Sequence, residues 1–251
     1  MSELVCYSVA ESVATISLNR PHRRNALVSD LLDEIGHCLD DAVDDPGVRV
    51  IVLTGQGGAF SSGLDLSAVD PQHDDLGALL EERYRPIIQR LADCPKVTIA
   101  ALPGPAAGAG TSLMLACDLV VATDTAFVQI AFINIGLIPD AGATWYLPRC
   151  VGMKRALAWA LTGNRITARD AQAAGLVYQV FPDEEFATAT DALAKGLAAK
   201  SLTACRLIKS ALRVSLENDL TAQFEIEERF QSAAGRTNEF KTAVEAFLKK
   251  R

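Results

Sequence analysis

Short apolar runs alternate with amphipathic segments over the first two thirds of the chain. The opening predicts two strands, LVCYSVAES and VATISLNR, because β-branched residues alternate with polar ones. VRVIVLTG and VTIAALPG are almost continuously apolar, which is typical of strands inside a parallel sheet. The intervening segments carry leucine and isoleucine at helical spacing, namely DLLDEIGHCLDDAV, with Ser29 as its candidate N-cap, and LGALLEERYRPIIQRLADC.

The pattern changes near Pro182. Beyond it Ala, Leu, Glu and Lys dominate, and helices are predicted throughout. The apolar rows of these helices must be buried, either against the chain's own core or against another subunit; they comprise Leu220, Phe224 and Phe230, and Val244, Phe247 and Leu248. We therefore expect an α/β core with the ligand site over residues 1–182, and a helical region of the same unit over residues 183–251.

Composition narrows the class of protein. The 251 residues are 49% hydrophobic and 22% charged, with a formal net charge of −7. The chain can therefore bury a full core, but a surface that binds nucleic acid is not expected. No apolar run approaches the roughly 18 residues that span a membrane, and MSELVCYSVAESV does not resemble a signal peptide. The six cysteines and three histidines stand singly, which predicts no metal and a reduced compartment. We expect a cytoplasmic protein.

Two loops rich in small residues, GQGGAFSSGL over residues 55–64 and GPAAGAG over residues 104–110, each follow a predicted buried strand. A dinucleotide site would need GxGxxG opening a helix, and a P-loop would need GxxxxGK[ST]; neither pattern occurs. For either loop alone, tight turns and close packing are the simpler explanation.

Together the loops suggest a different site. The second loop runs into TSLMLACD, so Ala109 and Gly110 should begin a helix, where unpaired N–H groups favour negative charge. One such N–H, paired with that of Leu64, would form an oxyanion hole for a thioester carbonyl.

The motifs carry a family resemblance. AFSSGLDL and GPAAGAGTSLMLACDLVVA resemble the two signatures of the crotonase (enoyl-CoA hydratase/isomerase) superfamily. Four further segments resemble blocks of the family and occur along the chain in the family's order: LNRPHRRNAL before the signatures, and IGLIPDAGATWYLPRCVG, LTGNRITARDAQAAGLVYQVF and EFKTAVEAFLKKR after them. The six motifs span nearly the whole chain. The resemblance implies a crotonase-like α/β spiral of β-β-α units with a helical C-terminal trimerisation region. It also implies a homotrimer or homohexamer that acts on acyl-CoA without a separate cofactor.

The resemblance also assigns site residues. It places the two oxyanion donors at Leu64 and Ala109, where relatives usually have glycine at the latter position, and an acid/base at Asp140. Arg23 and Arg24, in LNRPHRRNAL, become contacts for CoA phosphates. The full set of implied substrate contacts is Arg23, Arg24, Ala26, Ser62, Asp65, Leu66, Gly108, Gly110, Ser112, Phe132, Phe247 and Lys250.

The carboxylates decide which reaction is expected. Hydratases of the family use two glutamates, and the matching positions here are Ser112 and Phe132, so ordinary hydration is not expected. Asp140, among apolar neighbours such as Pro139, should be poorly solvated, which raises its pKa towards a useful value. Alternatively, Asp140 caps a helix that begins near Ala141.

One carboxylate suffices for a 1,3-proton shift, so we expect an enoyl-CoA isomerase. The Asp140 block, EERYRPIIQRLADCPKVTIAA and AAGAG most closely resemble the phenylacetate-pathway isomerases of the family. Those enzymes rearrange a ring epoxide of phenylacetyl-CoA and also move enoyl-CoA double bonds. The alternatives are a hydratase with atypical residues and a non-catalytic acyl-CoA-binding protein, for which a desolvated carboxylate would serve no purpose. Dehalogenase, hydrolase and decarboxylase variants rank lower.

Overall fold

A six-stranded sheet forms the centre of the fold. The computed structural model describes residues 4–249. The strand order is β1-β2-β3-β4-β6-β9, with β1 antiparallel to β2 and the other neighbours parallel. The strands are β1 (Val5–Ala10), β2 (Val13–Leu18), β3 (Val50–Gly55), β4 (Val97–Leu102), β6 (Leu119–Thr123) and β9 (Gln179–Phe181).

A second, three-stranded sheet has the order β5-β7-β8, with β5 (Ala106–Ala107), β7 (Phe127–Gln129) and β8 (Arg165–Thr167). Helices surround both sheets. They are α1 (Ser29–Asp44), α2 (Leu76–Leu79), α3 (Arg85–Asp93), α4 (Ala109–Ala116), α5 (Ala143–Val151), α6 (Met153–Thr162), α7 (Ala168–Ala173), α8 (Asp183–Ala198), α9 (Leu202–Val214), α10 (Leu220–Gly235) and α11 (Asn238–Lys249).

Both faces of the central sheet are covered. Successive residues of β3 point to opposite sides: Ile51 belongs to a large apolar cluster shared with α1, α3 and α4, whereas Val50 packs in a second cluster with Phe186 and Ala194 of α8. The strand β4 is buried along its whole length. The prediction of buried parallel strands is therefore confirmed.

The predicted helix over LGALLEERYRPIIQRLADC is wrong in one respect, because it is interrupted. A π-helical turn, Leu80–Tyr84, separates α2 from α3. The N–H of Arg85 donates to the carbonyl of Leu80, five residues earlier, and the next residue, Pro86, has no N–H to continue a regular ladder. The N-cap prediction for Ser29 is also wrong: Ser29 is the first residue of α1, and the cap, Val28, makes no side-chain hydrogen bond.

The C-terminal helices differ in how they meet the core. The helix α8 packs on the sheet, whereas α9, α10 and α11 contain no buried residue within the described part of the chain. Polar contacts attach α9: Asp118 accepts from Lys209 at 2.5 Å and from Arg213 at 3.1 Å. The apolar rows of α10 and α11 are therefore not buried against the chain's own core, whereas Cys205 of α9 packs against the cluster that contains Phe186. Among residues 4–249 no helix is long and apolar enough to cross a membrane.

Candidate active site

The first small-residue loop is held in place by main-chain hydrogen bonds. Leu27 donates to the carbonyl of Gly63 at 2.7 Å, and Asp65 donates to the carbonyl of Leu27 at 2.9 Å. Leu27 thus bonds to the residues on either side of Leu64, as in a parallel bridge. The N–H of Leu64 therefore points away from Leu27.

The second loop approaches the first at Gly63. This glycine has φ of +86°, and a Cβ added to it would lie 2.8 Å from the carbonyl oxygen of Ala107 and 3.0 Å from the nitrogen of Ala109. Only glycine permits this contact. Ala109 is the first residue of α4, so its N–H has no partner within the helix and lies at the positive end of the helix dipole. Two main-chain N–H groups, from Leu64 and Ala109, are thereby placed on adjoining strands of backbone.

Leu64 and Ala109 both line a cavity of about 200 Å³. Seven residues expected from the sequence line it: Ser62, Leu64, Leu66, Gly108, Ala109, Phe132 and Asp140. Eight others line it without having been assigned to the site: Leu76, Leu79, Leu80, Tyr84, Ala131, Asn134, Ile135 and Leu137. The lining is largely aliphatic, which suits the hydrocarbon part of an acyl group.

Asp140 is the acid of the cavity. It is half-buried, and its Oδ1 atom is shielded from solvent with no hydrogen-bond partner among the described residues. This burial raises the pKa of Asp140 to about 6. The helix α5 begins only at Ala143, after Gly142, and no side chain caps it. The alternative that the Asp140 side chain is a helix cap is therefore wrong.

The backbone around Asp140 is fixed on both sides. The hydroxyl of Ser112, on α4, donates to the main-chain carbonyl of Asp140 at 2.9 Å. The next residue, Ala141, has φ of +47°, a left-handed conformation that costs a non-glycine residue roughly 1 kcal/mol. Such strain persists where the surrounding structure enforces it, and it clusters at functional sites.

Four of the expected contact residues are buried but do not line the cavity. Ser112 and Gly110 lie within α4, all of whose residues are buried, and Ala26 is buried beside Leu27. Asp65 is also buried: its carboxylate accepts from Arg20 at 2.9 Å and from the Ser67 hydroxyl at 2.6 Å, and these bonds, that of Ser67 most strongly, hold the pKa of Asp65 below its usual value. The contacts observed for Asp65 therefore stabilise the loop that presents Leu64.

The residues expected to hold CoA phosphates lie at the surface. Arg23 and Arg24 are exposed, and the carbonyl of Arg24 accepts from the N–H of Ser62 at 2.9 Å, so the pair lies next to the cavity wall. Phe247 lies on α11, exposed and outside the cavity lining. Lys250 falls outside the described residues. Contacts of these residues with CoA stay predictions.

Two further observations concern the polar groups of the site: one is a hydrogen bond of Asn134, and the other is the absence of a metal-binding group among the described residues. Asn134 lines the cavity, but its amide nitrogen donates to the carbonyl of Gly163 at 3.3 Å, so this group is engaged. Among residues 4–249 no group of three His, Cys, Asp or Glu side chains is arranged to hold a metal ion. Tyr84 could not be assigned to the site from the sequence alone, because its segment meets the small-residue loops only in the folded chain.

Known proteins are similar to this chain over nearly its whole length. The model of the enoyl-CoA hydratase/isomerase family matches residues 8–251. A 1,2-epoxyphenylacetyl-CoA isomerase of Escherichia coli K12 is 40% identical over 255 residues, covering 100% of this chain and 97% of the relative. A 2,3-dehydroadipyl-CoA hydratase of the same organism is 38% identical over 251 residues, with coverage of 100% and 97%. The crystal structure of an enoyl-CoA hydratase from Mycobacterium smegmatis superposes with a TM-score of 0.93 at 28% identity, covering 100% and 98%.

Proposed function

Because the chain belongs to the enoyl-CoA hydratase/isomerase family and has the crotonase fold, we propose that it isomerises a CoA thioester. Asp140 carries the proposal. It is the one carboxylate among the described residues that line the cavity, its Oδ1 is unpaired, and its pKa of about 6 suits a base near neutral pH.

The thioester carbonyl binds at the two main-chain N–H groups of Leu64 and Ala109. Donors aimed at an oxygen that becomes negative stabilise the transition state more than the ground state. The dipole of α4 adds to this effect, because its positive end lies at Ala109. The exposed Arg23 and Arg24 bind the phosphates of CoA, which fixes the thioester at the cavity mouth.

The proton shift proceeds in two steps. The ionised Asp140 removes a proton from C2 of a 3-enoyl-CoA, and the C–H electrons spread over C2 to C4 and the thioester oxygen as a dienolate. The protonated Asp140 then returns the proton to C4, so that the double bond moves from C3–C4 to C2–C3. Atoms and charge balance without a cofactor, because the same carboxyl group takes and gives the proton.

Hydration is the second candidate, since relatives include a 2,3-dehydroadipyl-CoA hydratase. Adding water requires one group to activate the water and another to protonate C2. Ser112 hydrogen-bonds to a backbone carbonyl behind the cavity, and Phe132 presents an apolar ring to it. Neither residue can replace a glutamate as an acid or a base.

The substrate is either a plain 3-enoyl-CoA or an aromatic-derived CoA thioester. The name of the E. coli relative, 1,2-epoxyphenylacetyl-CoA isomerase, supports the second. Exchange of substrate protons in deuterated water, measured by mass spectrometry over a panel of acyl-CoAs, reports removal of C2 and C4 protons without knowledge of the natural acyl group.

The decisive experiment compares two substrates on one preparation. We expect 3-hexenoyl-CoA to be isomerised to 2-hexenoyl-CoA with kcat/KM at least about 100 times that for hydration of crotonyl-CoA, since a missing acid or base costs about that much. The matched control is Asp140→Asn, which should lose the isomerase rate. Crotonyl-CoA hydration at a comparable rate would establish the hydratase instead, and the absence of both reactions and of proton exchange would favour a non-catalytic binder.

A further inference from the structure

Tyr84 presents a buried, unpaired hydroxyl to the cavity. Its side chain lines the cavity, the residue is only 5% exposed, and its Oη atom has no hydrogen-bond partner among the described residues. Leaving a buried hydroxyl unpaired costs about 1–3 kcal/mol. A ligand atom that accepts from this hydroxyl would recover that free energy.

Tyr84 ends a π-helical turn on the cavity wall. In this turn, Leu80–Tyr84, Arg85 donates to the carbonyl five residues earlier, so the turn is wider than in an α-helix. Leu76, Leu80 and Tyr84 recur every four residues along the segment, and all three line the cavity. Pro86, which lacks an N–H, accounts for the interruption. Turns of this kind occur frequently at functional sites.

Tyr84 and Asp140 line the same cavity, and neither the Tyr84 hydroxyl nor the Oδ1 atom of Asp140 has a hydrogen-bond partner among the described residues. Burial raises the pKa of Tyr84 far above its ordinary value of 10.0, and the negative charge of Asp140 raises it further. Tyr84 is therefore a neutral donor at every pH at which Asp140 acts as a base. The Oδ1 of Asp140 can only accept when it is ionised, so the residues that line the cavity supply one unpaired donor and one unpaired acceptor.

We propose that Tyr84 is a specificity-determining residue whose hydroxyl donates to an oxygen carried by the acyl group. The oxygen, in a hydroxyl, ether or epoxide, lies within one or two bonds of the carbon that Asp140 deprotonates. This inference rests on the proposed role of Asp140. A hydrocarbon acyl chain leaves the Tyr84 hydroxyl unpaired, so the cavity selects oxygen-bearing acyl-CoAs over hydrocarbon ones of equal length.

Binding measurements test this selection without requiring turnover. Dissociation constants of hexanoyl-CoA, 2-hydroxyhexanoyl-CoA and 3-hydroxyhexanoyl-CoA are measured by calorimetry for the wild type and Tyr84→Phe. We expect the wild type to prefer a hydroxylated ligand by about three- to tenfold, the worth of one neutral hydrogen bond, and Tyr84→Phe to lose that preference. Tyr178→Phe is the matched control, because it removes an exposed tyrosine hydroxyl away from the cavity and should keep the preference. Mass spectrometry of the recovered ligands checks that none has reacted.

Two results would overturn the proposal. One is a preference that persists in Tyr84→Phe or is absent from the wild type. The other is an equal weakening of all three ligands, which would make Tyr84 a positioning residue for the cavity wall or for Asp140.

Melting temperature adds a separate readout. Since the hydroxyl is unpaired, Tyr84→Phe should melt at or above the temperature of the wild type, and a fall of several degrees would reveal a structural partner and overturn the proposal. A wild type that isomerises nothing would refute the proposed function, but the ligand preference would still decide the role of Tyr84.

Discussion

At the scale of single residues, the poor solvation of Asp140 affects both its basicity and the stability of the folded protein. Its carboxyl group lies where water reaches it poorly, and this environment raises its pKa to about 6. The same lack of solvation that makes the carboxylate a better base makes its ionised form unfavourable in the folded protein. Kinetics and stability therefore give independent measures of one physical cause.

The kinetic prediction concerns Asp140→Asn. The amide keeps the size of the side chain but cannot take up a proton near neutral pH, so we expect kcat to fall by roughly two to four orders of magnitude. Affinity for acyl-CoA should change little, because it would come from CoA contacts and the main-chain donors. Steady-state rates and binding constants of the same preparation check both. Near wild-type turnover in a stable variant would remove Asp140 from the mechanism.

The stability prediction uses the same variant over a range of pH. Since the folded-state pKa of Asp140 exceeds its unfolded value of 3.8, its contribution to stability is fully present below about pH 4 and is lost as the pH rises through about 6. Relative to the wild type, Asp140→Asn should therefore gain about 1 kcal/mol in free energy of unfolding at pH 8, after allowance for the partial exposure of the carboxyl group. Urea denaturation of the wild type and the variant at about pH 4 and at pH 8 measures this gain. A difference that did not vary with pH would contradict the cause assigned to the pKa.

The motifs predicted some of the site residues and not others, for a physical reason. Leu64, Ala109 and Asp140 lie in short loops whose glycines and turns are legible in the sequence. Tyr84 lies at helical spacing from Leu76 and Leu80, which also line the cavity, but the sequence does not show that this face of the segment meets the small-residue loops. The role of Ser112 as a donor to the Asp140 carbonyl also depends on a contact between distant segments.

At the scale of secondary-structure elements, the site depends on how closely two loops approach. The contact between Gly63 and the turn before α4 brings Leu64 and Ala109, which both line the cavity, onto adjoining segments of backbone. A methyl group at position 63 would force the two backbones apart. This would change the distance between the two N–H groups, and the proposed binding of one oxygen by both would be lost.

Gly63→Ala and Gly58→Ala form a matched pair that tests this dependence. Both glycines have positive φ, +86° and +76°, but an added Cβ meets the Ala107 carbonyl at 2.8 Å only at position 63 and nothing within 4 Å at position 58. Each change should cost about 1 kcal/mol through the backbone conformation alone. We expect Gly63→Ala also to lower kcat by at least about 100-fold, the worth of one oxyanion donor. Equal kcat values for the two variants would show that catalysis does not depend on this contact.

The elements themselves were largely predictable. The runs VRVIVLTG and VTIAALPG became β3 and β4, because continuous β-branched and aliphatic residues fit only a strand buried on both faces. The second sheet was not predicted, since its strands β5, β7 and β8 are two or three residues long and carry too few residues for a period to appear.

At the scale of the whole molecule, the C-terminal helices leave apolar side chains uncovered. Leu212, Leu216, Leu220 and Phe224 are each more than 60% exposed, and a groove between α9 and α10 is lined by Leu207, Ile208 and Phe230. Exposed apolar side chains grouped on neighbouring helices are typical of an interaction surface. The expected homotrimer or homohexamer would cover it with other copies of the chain.

Sedimentation tests the assembly. We expect the wild type to sediment as a trimer or hexamer at micromolar concentration, and Phe224→Asp to dissociate, because a charge would then be buried without a partner. Thr221→Asp places the same charge at another exposed position of α10 and should have the smaller effect. A wild type that sediments only as a monomer would contradict the assembly.

The two main-chain donors have a consequence for how this protein can be altered. Every amino acid except proline carries the same backbone N–H, so an alanine scan of the cavity would pass over Leu64 and Ala109 without detecting their hydrogen bonds. Substitution of the cavity side chains can likewise change the acyl group or the acid while the carbonyl-binding groups stay in place. The proposed oxyanion hole would in this sense be inherited with the fold, and the chain could diverge towards new reactions from a site that already stabilises an enolate.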